Sequence, residues 1–98
     1  MSPPLIIRPE AQADIETIYD ALEEVQTGLG RRFLGRVREV LERVESMPEL
    51  YGVVWQDVRA VRVKHFCYVV YYVVFSDRVE VIAALHGARD PSVWQSRL

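Results

Sequence analysis

Phe66-Cys67-Tyr68-Val69-Val70-Tyr71-Tyr72-Val73-Val74-Phe75 is the longest uninterrupted apolar run in the 98-residue chain. It is too short to cross a bilayer as a helix, and β-branched and aromatic side chains dominate it, so it reads as a buried strand. Upstream, Val61 and Val63 alternate with Arg62 and Lys64 at the two-residue period of a strand that starts near Val58. Arg59 is out of phase with Arg62, which calls for either a later start or a bulge. Downstream, Ser76-Asp77-Arg78 is a turn signal, and Val79 to Leu85 reads as the next strand, with Glu80 its only charge. Two tight turns make these strands antiparallel neighbours. The middle one, apolar on both faces, is expected to be central and covered on both sides.

Toward the N-terminus, Leu5-Ile6-Ile7 follows two prolines as a short strand, and Arg8-Pro9-Glu10 supplies a helix start. From Glu10 to about Val25, residues Ala11, Ile15, Ile18, Tyr19, Leu22 and Val25 fall on one helical stripe. The polar side holds Glu10, Asp14, Glu16, Asp20, Glu23 and Glu24 without a Lys or Arg, which fits either a solvated face or an acidic docking surface. Thr27-Gly28-Leu29-Gly30 interrupts the pattern. A second helix then runs from about Leu29 to Ser46 on Leu29, Phe33, Val37, Val40, Leu41, Val44 and Met47, until Pro48 stops it. On its surface Glu39–Arg43 has the favourable four-residue order and Arg38–Glu42 the weaker reverse. Residues 48–57 read as a loop carrying Tyr51 and Trp55, and residues 86–98 as a tail with one helical turn near Pro91–Trp94.

The fold class is therefore α+β: a strand, a helical hairpin and a three-stranded antiparallel meander in one small sheet, forming one domain over residues 1–98. The first strand belongs at an edge or beside the last strand. Twelve Lys/Arg against fourteen Asp/Glu disfavour a non-specific nucleic-acid binder. The single Cys67 rules out a disulfide framework and suits a reducing cytosol. Its place in the apolar run is expected to bury it and raise its pKa, against a nucleophilic role. His65, His86 and one Cys lack the spacing of a metal site, and Gly28 and Gly30 lack the lysine of a phosphate loop, so no metal or cofactor is expected. The opening MSPPLIIRPE lacks a signal-peptide pattern, and no membrane association is expected.

Arg8-Pro9-Glu10-Ala11 with Asp14-Ile15-Glu16-Thr17-Ile18-Tyr19, Val58-Arg59 entering the second strand, Tyr71-Tyr72-Val73-Val74 in the third, and Leu85-His86-Gly87-Ala88-Arg89-Asp90 after the last resemble the RelE/ParE toxin superfamily over nearly the whole chain. The last segment is similar to the ParE branch. The resemblance implies a cytoplasmic toxin of a type II toxin-antitoxin system with a plasmid-stabilising role. It also implies inhibition of DNA gyrase by protein binding, a ParD-like antitoxin, and no direct sequence-specific nucleic-acid binding by the toxin alone. The alternatives are a RelE-like ribosome-dependent mRNA endonuclease and a non-toxic interaction module with the same fold. An endonuclease needs a base for the 2′-hydroxyl, an acid for the leaving oxygen and cations for the phosphorane. The run Phe66 to Phe75 contains no Lys or Arg, so no catalytic residue is assigned.

The expected target-binding residues are Arg59, Arg62, Lys64, His86, Arg89 and Trp94. The start of the second strand and the end of the last are expected at one side of the sheet, joining Arg59, Arg62, Lys64 and Arg89 into a basic edge. Each has a structural alternative: His86 bonding a backbone carbonyl, Arg89-Asp90 bracing the tail, Arg62 and Lys64 on a solvated face, and Trp55 and Trp94 as lids over core edges. The expected antitoxin-binding residues are Ile18, Leu22, Phe33, Val37, Tyr51 and Trp55, because the stripes of two helices exceed what one small sheet covers. Basic residues of the antitoxin would face Asp14, Glu16, Asp20, Glu23 or Glu24.

Overall fold

Pro9 at the first helical position starts α1 (Pro9–Val25), directly after strand β1 (Leu5–Ile7) in a computed structural model that describes residues 3–98. Met1 and Ser2 of the opening segment lie outside the described residues. Helix α2 (Leu29–Ser46) follows, then β2 (Val53–Trp55), β3 (Val58–Arg62), β4 (Tyr68–Val74), β5 (Val79–His86) and the single turn α3 (Ser92–Gln95). The sheet order is β1-β5-β4-β3-β2, so β1 is both at an edge and beside the last strand, to which it runs parallel. No helix among the described residues is long and apolar enough to cross a membrane.

The helices meet at a joint made by three residues. Gly28 takes a left-handed φ of 91° and has no side chain to cap α2. Glu23 of α1 does that work: its carboxylate accepts the Gly28 N–H at 3.2 Å and the Gly30 N–H at 2.7 Å. The Gly28 bond leads the effects that hold this carboxyl below the usual range. A Cβ at Gly30 would sit 2.7 Å from the Tyr19 carbonyl oxygen and 2.9 Å from Glu23 Cγ. Gly30→Ala is therefore expected to cost about 1–3 kcal/mol by overpacking the joint, read as a lower urea midpoint at unchanged slope.

β4 is central, and its continuous apolarity has a direct cause in the pleat. Val70 and Tyr72 join the helix-side core with Phe33, Val37 and Ile15, whereas Tyr71 and Val73 point to the other face, where Trp94 of α3 packs. Val25 and Met47, at the ends of the two helical stripes, are exposed.

Several boundaries differ from the sequence reading. Residues 48–57 are not all loop, because Val53–Trp55 adds a fifth strand that turns back through Gln56, at φ 48°, onto β3. β4 begins at Tyr68 rather than Phe66: His65 takes φ 70° and Phe66 N–H donates to the Val63 carbonyl at 3.1 Å, which closes a turn. Cys67 consequently lies exposed in that turn instead of buried in the apolar run. The β3–β4 register is unbroken, so Arg59 and Arg62 simply face opposite sides; the irregularities sit in β2, between Val53 and Trp55, and in β5, at Ile82. On α2, Glu39 pairs with Arg36 at 3.1 Å instead of Arg43, whose Nη1 donates to Tyr51 Oη at 3.1 Å.

Candidate interaction site

The expected basic edge separates once the strands are in register. β3 and β5 are both antiparallel to β4 and hence parallel to each other, with Arg62 opposite Val69 and Val69 opposite Leu85. It is the end of β3, not its start, that shares an end of the sheet with His86 and Arg89. Arg59 lies further back, opposite Tyr72, and its Nη1 donates to the Tyr51 carbonyl at 2.6 Å and the Glu49 carbonyl at 3.3 Å. It is occupied in fastening the segment that leads into β2.

Arg62 is exposed, with Nε donating to the Phe66 carbonyl at 3.1 Å across the turn, and Lys64 is exposed in that turn. Arg62 faces away from the helices, on the side opposite its neighbour Val61. His86 lies on the helix side, its ring edge-on to Tyr68 with centroids 5.9 Å apart. Rather than donating to a carbonyl, its Nδ1 accepts the Ala88 N–H at 3.0 Å. Asp90 braces the tail by accepting the Ser92 N–H at 3.0 Å, which draws its carboxyl below the usual range, while Arg89 takes no part in an ion pair among the described residues. Trp94 is 5% exposed and stacks on Tyr71 at 4.5 Å, so it belongs to the core of the second face.

Two adjoining clefts of about 320 and 230 Å³ run along the outside of the helical hairpin, sharing Gln12, Ile15 and Leu34. Tyr19, Val37 and Leu41 extend the apolar lining, with Glu16 and Asp20 on the α1 rim and Arg38 on the α2 rim.

Over residues 5–91 the chain matches the family described as ParE toxin of type II toxin-antitoxin system, parDE. The chain belongs to the ParE toxin family. No curated protein matches it in sequence. Among solved structures it is similar to a chain of a chromosomal ParDE TA system from P. aeruginosa, with TM-score 0.66 and 15% identity over 87% of this chain and 96% of that one. It is also similar to the YoeB dimer from Staphylococcus aureus, with TM-score 0.60 and 13% identity over 88% and 98% of the two chains. At these identities the likeness concerns the fold.

Within this family member, the residues expected to meet an antitoxin divide by depth and by face. Phe33, Val37 and Ile18 are buried in the helix–sheet core, and Leu22 and Tyr51 pack half-buried against it. Trp55 lies on the opposite face, edge-on to Trp94 at 6.0 Å, so it cannot share a groove with the helices. Two of the acids are also occupied. Asp14 accepts from Arg97 Nη1 and Nη2 at 2.6 and 3.2 Å and from the Ala84 N–H at 3.0 Å, and Glu23 caps α2. Leu34 was hidden from the stripe reading because it flanks Phe33 by one position. A stripe wider than the strict three-and-four spacing would have included it.

Proposed function

We propose that this ParE family member is a single-domain cytoplasmic toxin that inhibits DNA gyrase by protein contact, in a plasmid-stabilising pair with a ParD-like antitoxin. The observation that carries the reading is the dispersal of the groups an RNA-cutting site would need. Arg59 is tied to two backbone carbonyls, Arg62 and His86 project from opposite faces, and β4 contributes no cation between them. A phosphorane needs its base, acid and cations around one atom, whereas contact with a protein needs only a presented surface. Arg62 and Lys64, exposed at the end of β3, give that surface a local positive field suited to steering onto an acidic or DNA-bearing target.

The outer groove of the hairpin is the antitoxin site in this reading. Its apolar lining fits one face of an amphipathic helix, and Glu16 and Asp20 match basic residues beside that face. Induced expression with parallel assays of chromosome breaks and of messenger cleavage tests the function. Breaks and filamentous cells with early translation intact are expected, and cleavage of messengers in the ribosomal A site with intact DNA would overturn the proposal. In purified form, Arg62→Glu is expected to weaken gyrase inhibition roughly tenfold, equivalent to about 1.4 kcal/mol. Its stability should stay within about 1 kcal/mol of the parent, since the side chain is exposed.

A further inference from the structure

β5 is longer than the strand that covers its outer side. β1 pairs with it only from Val79 to Val81, whereas β5 continues to His86. Just past β1, side chains replace a strand. Arg97 Nη1 donates to the Ile82 carbonyl at 3.1 Å, and the Ala84 N–H donates to Asp14, whose charge Arg97 neutralises. Further along, the Gly87 N–H donates to the Cys67 carbonyl on the β4 side at 2.8 Å. The alternation of backbone groups therefore turns the Ala84 carbonyl and the His86 N–H outward. They open on a cleft of about 400 Å³ between β5 and α1, lined by Ile18, Ala21, Tyr68 and Leu85, with Thr17 and Arg89 at its margin. Both Thr17 and Arg89 are exposed, and Arg89 faces no carboxylate partner within ion-pair distance among the described residues.

We propose that this cleft binds an extended peptide bearing a carboxylate side chain, which hydrogen-bonds through its backbone to Ala84 and His86 and sets its carboxylate against Arg89. The unpaired edge selects an extended backbone, because a helix satisfies its own groups and has none to offer. The charge selects an acid: Asp14 is already paired with Arg97, which leaves Arg89 as the uncompensated charge among the lining residues. Alternate side chains of such a peptide would rest on Ile18 and Tyr68. This cleft is distinct from the outer groove of the hairpin and does not depend on which enzyme the toxin inhibits.

The test uses the whole chain and a labelled hexapeptide, Thr-Val-Glu-Val-Thr-Val, with counterparts carrying Lys for Glu or N-methylated at alternate backbone positions. In fluorescence anisotropy the Glu peptide should bind at least about tenfold tighter than the Lys peptide. Arg89→Glu should invert that preference, Thr17→Trp should block both peptides, and N-methylation should abolish binding. The melting temperatures of both variants serve as the folding control. Amide shifts on titration should centre on Ala84 to Arg89. Equal affinity for the Glu and Lys peptides, a preference that survives Arg89→Glu, undiminished binding of the methylated peptide, or shifts confined to the hairpin groove would each overturn the proposal.

Discussion

Phe33→Ala should remove about 3–5 kcal/mol of stability, the range for deleting a fully buried aromatic side chain. The ring has no accessible surface and stands edge-on to two others, Phe66 at 5.5 Å and Tyr68 at 5.4 Å. It therefore joins α2 to both the turn before β4 and the start of β4. Losing it forfeits apolar burial, leaves a cavity and removes two edge contacts worth about 0.5–1.5 kcal/mol each. Against a total of about 5–15 kcal/mol for a domain, the variant stands near the unfolding threshold. A urea titration at unchanged slope measures the loss, and Phe33→Leu, which refills much of the volume, should lose less. The comparison with Leu34→Ala separates folding from recognition. Leu34 lines the outer groove, so its truncation should lower antitoxin affinity more than stability, while Phe33→Ala should recover part of its melting temperature when antitoxin is added, by mass action. Normal stability with lost antitoxin binding in Phe33→Ala would show that the ring meets the partner directly.

Both long helices were legible because each shows its period over enough residues to stand out, as Phe33, Val37, Val40 and Val44 do for α2; β3 and β5 were legible from the alternation around Val61 and from an apolar run set off by the Ser76-Asp77-Arg78 turn. Apolarity alone misplaced the start of β4. Phe66 is apolar because it packs on Phe33 from a turn, and burial is what the side chain reports, not backbone conformation. β2 was hidden by its three-residue length, too short for alternation to appear, and with it went the face on which Trp55 lies. The parallel relation of β3 and β5, by contrast, follows from two successive hairpins and was available to sequence reasoning. That relation places Arg59 and His86 at different ends of the sheet. The pairing of Asp14 with Arg97 and Ala84 was beyond reach, because those partners lie 83 and 70 residues away along the chain and no local pattern links them.

Trp94→Ala should cost about as much as Phe33→Ala, about 3–5 kcal/mol, although it sits near the end of the chain. A four-residue helix has no stability of its own, so α3 stays in place because Trp94 stacks on Tyr71 with 16° between the rings and meets Trp55 edge-on. Arg97 adds a second anchor through Asp14 and the Ile82 carbonyl, and its own carbonyl accepts from Arg8 Nη1 at 2.6 Å. With the indole gone, Val58, Val73, Ile82 and Leu85 lose their cover on the face away from the helices. That face is a sheet surface, so the variant should both unfold at lower urea and aggregate on warming. Arg97→Gln alone should loosen only the last residues, seen as faster amide exchange at Ser96 and Arg97 with the midpoint shifted less. For function the decisive comparison is Trp94→Phe, which keeps an aromatic ring over Tyr71. If Trp94 acts by holding the tail, gyrase inhibition should follow the folded fraction and the Phe variant should restore both. If the indole is itself a target contact, inhibition should fall in Trp94→Phe while its melting remains near that of the parent.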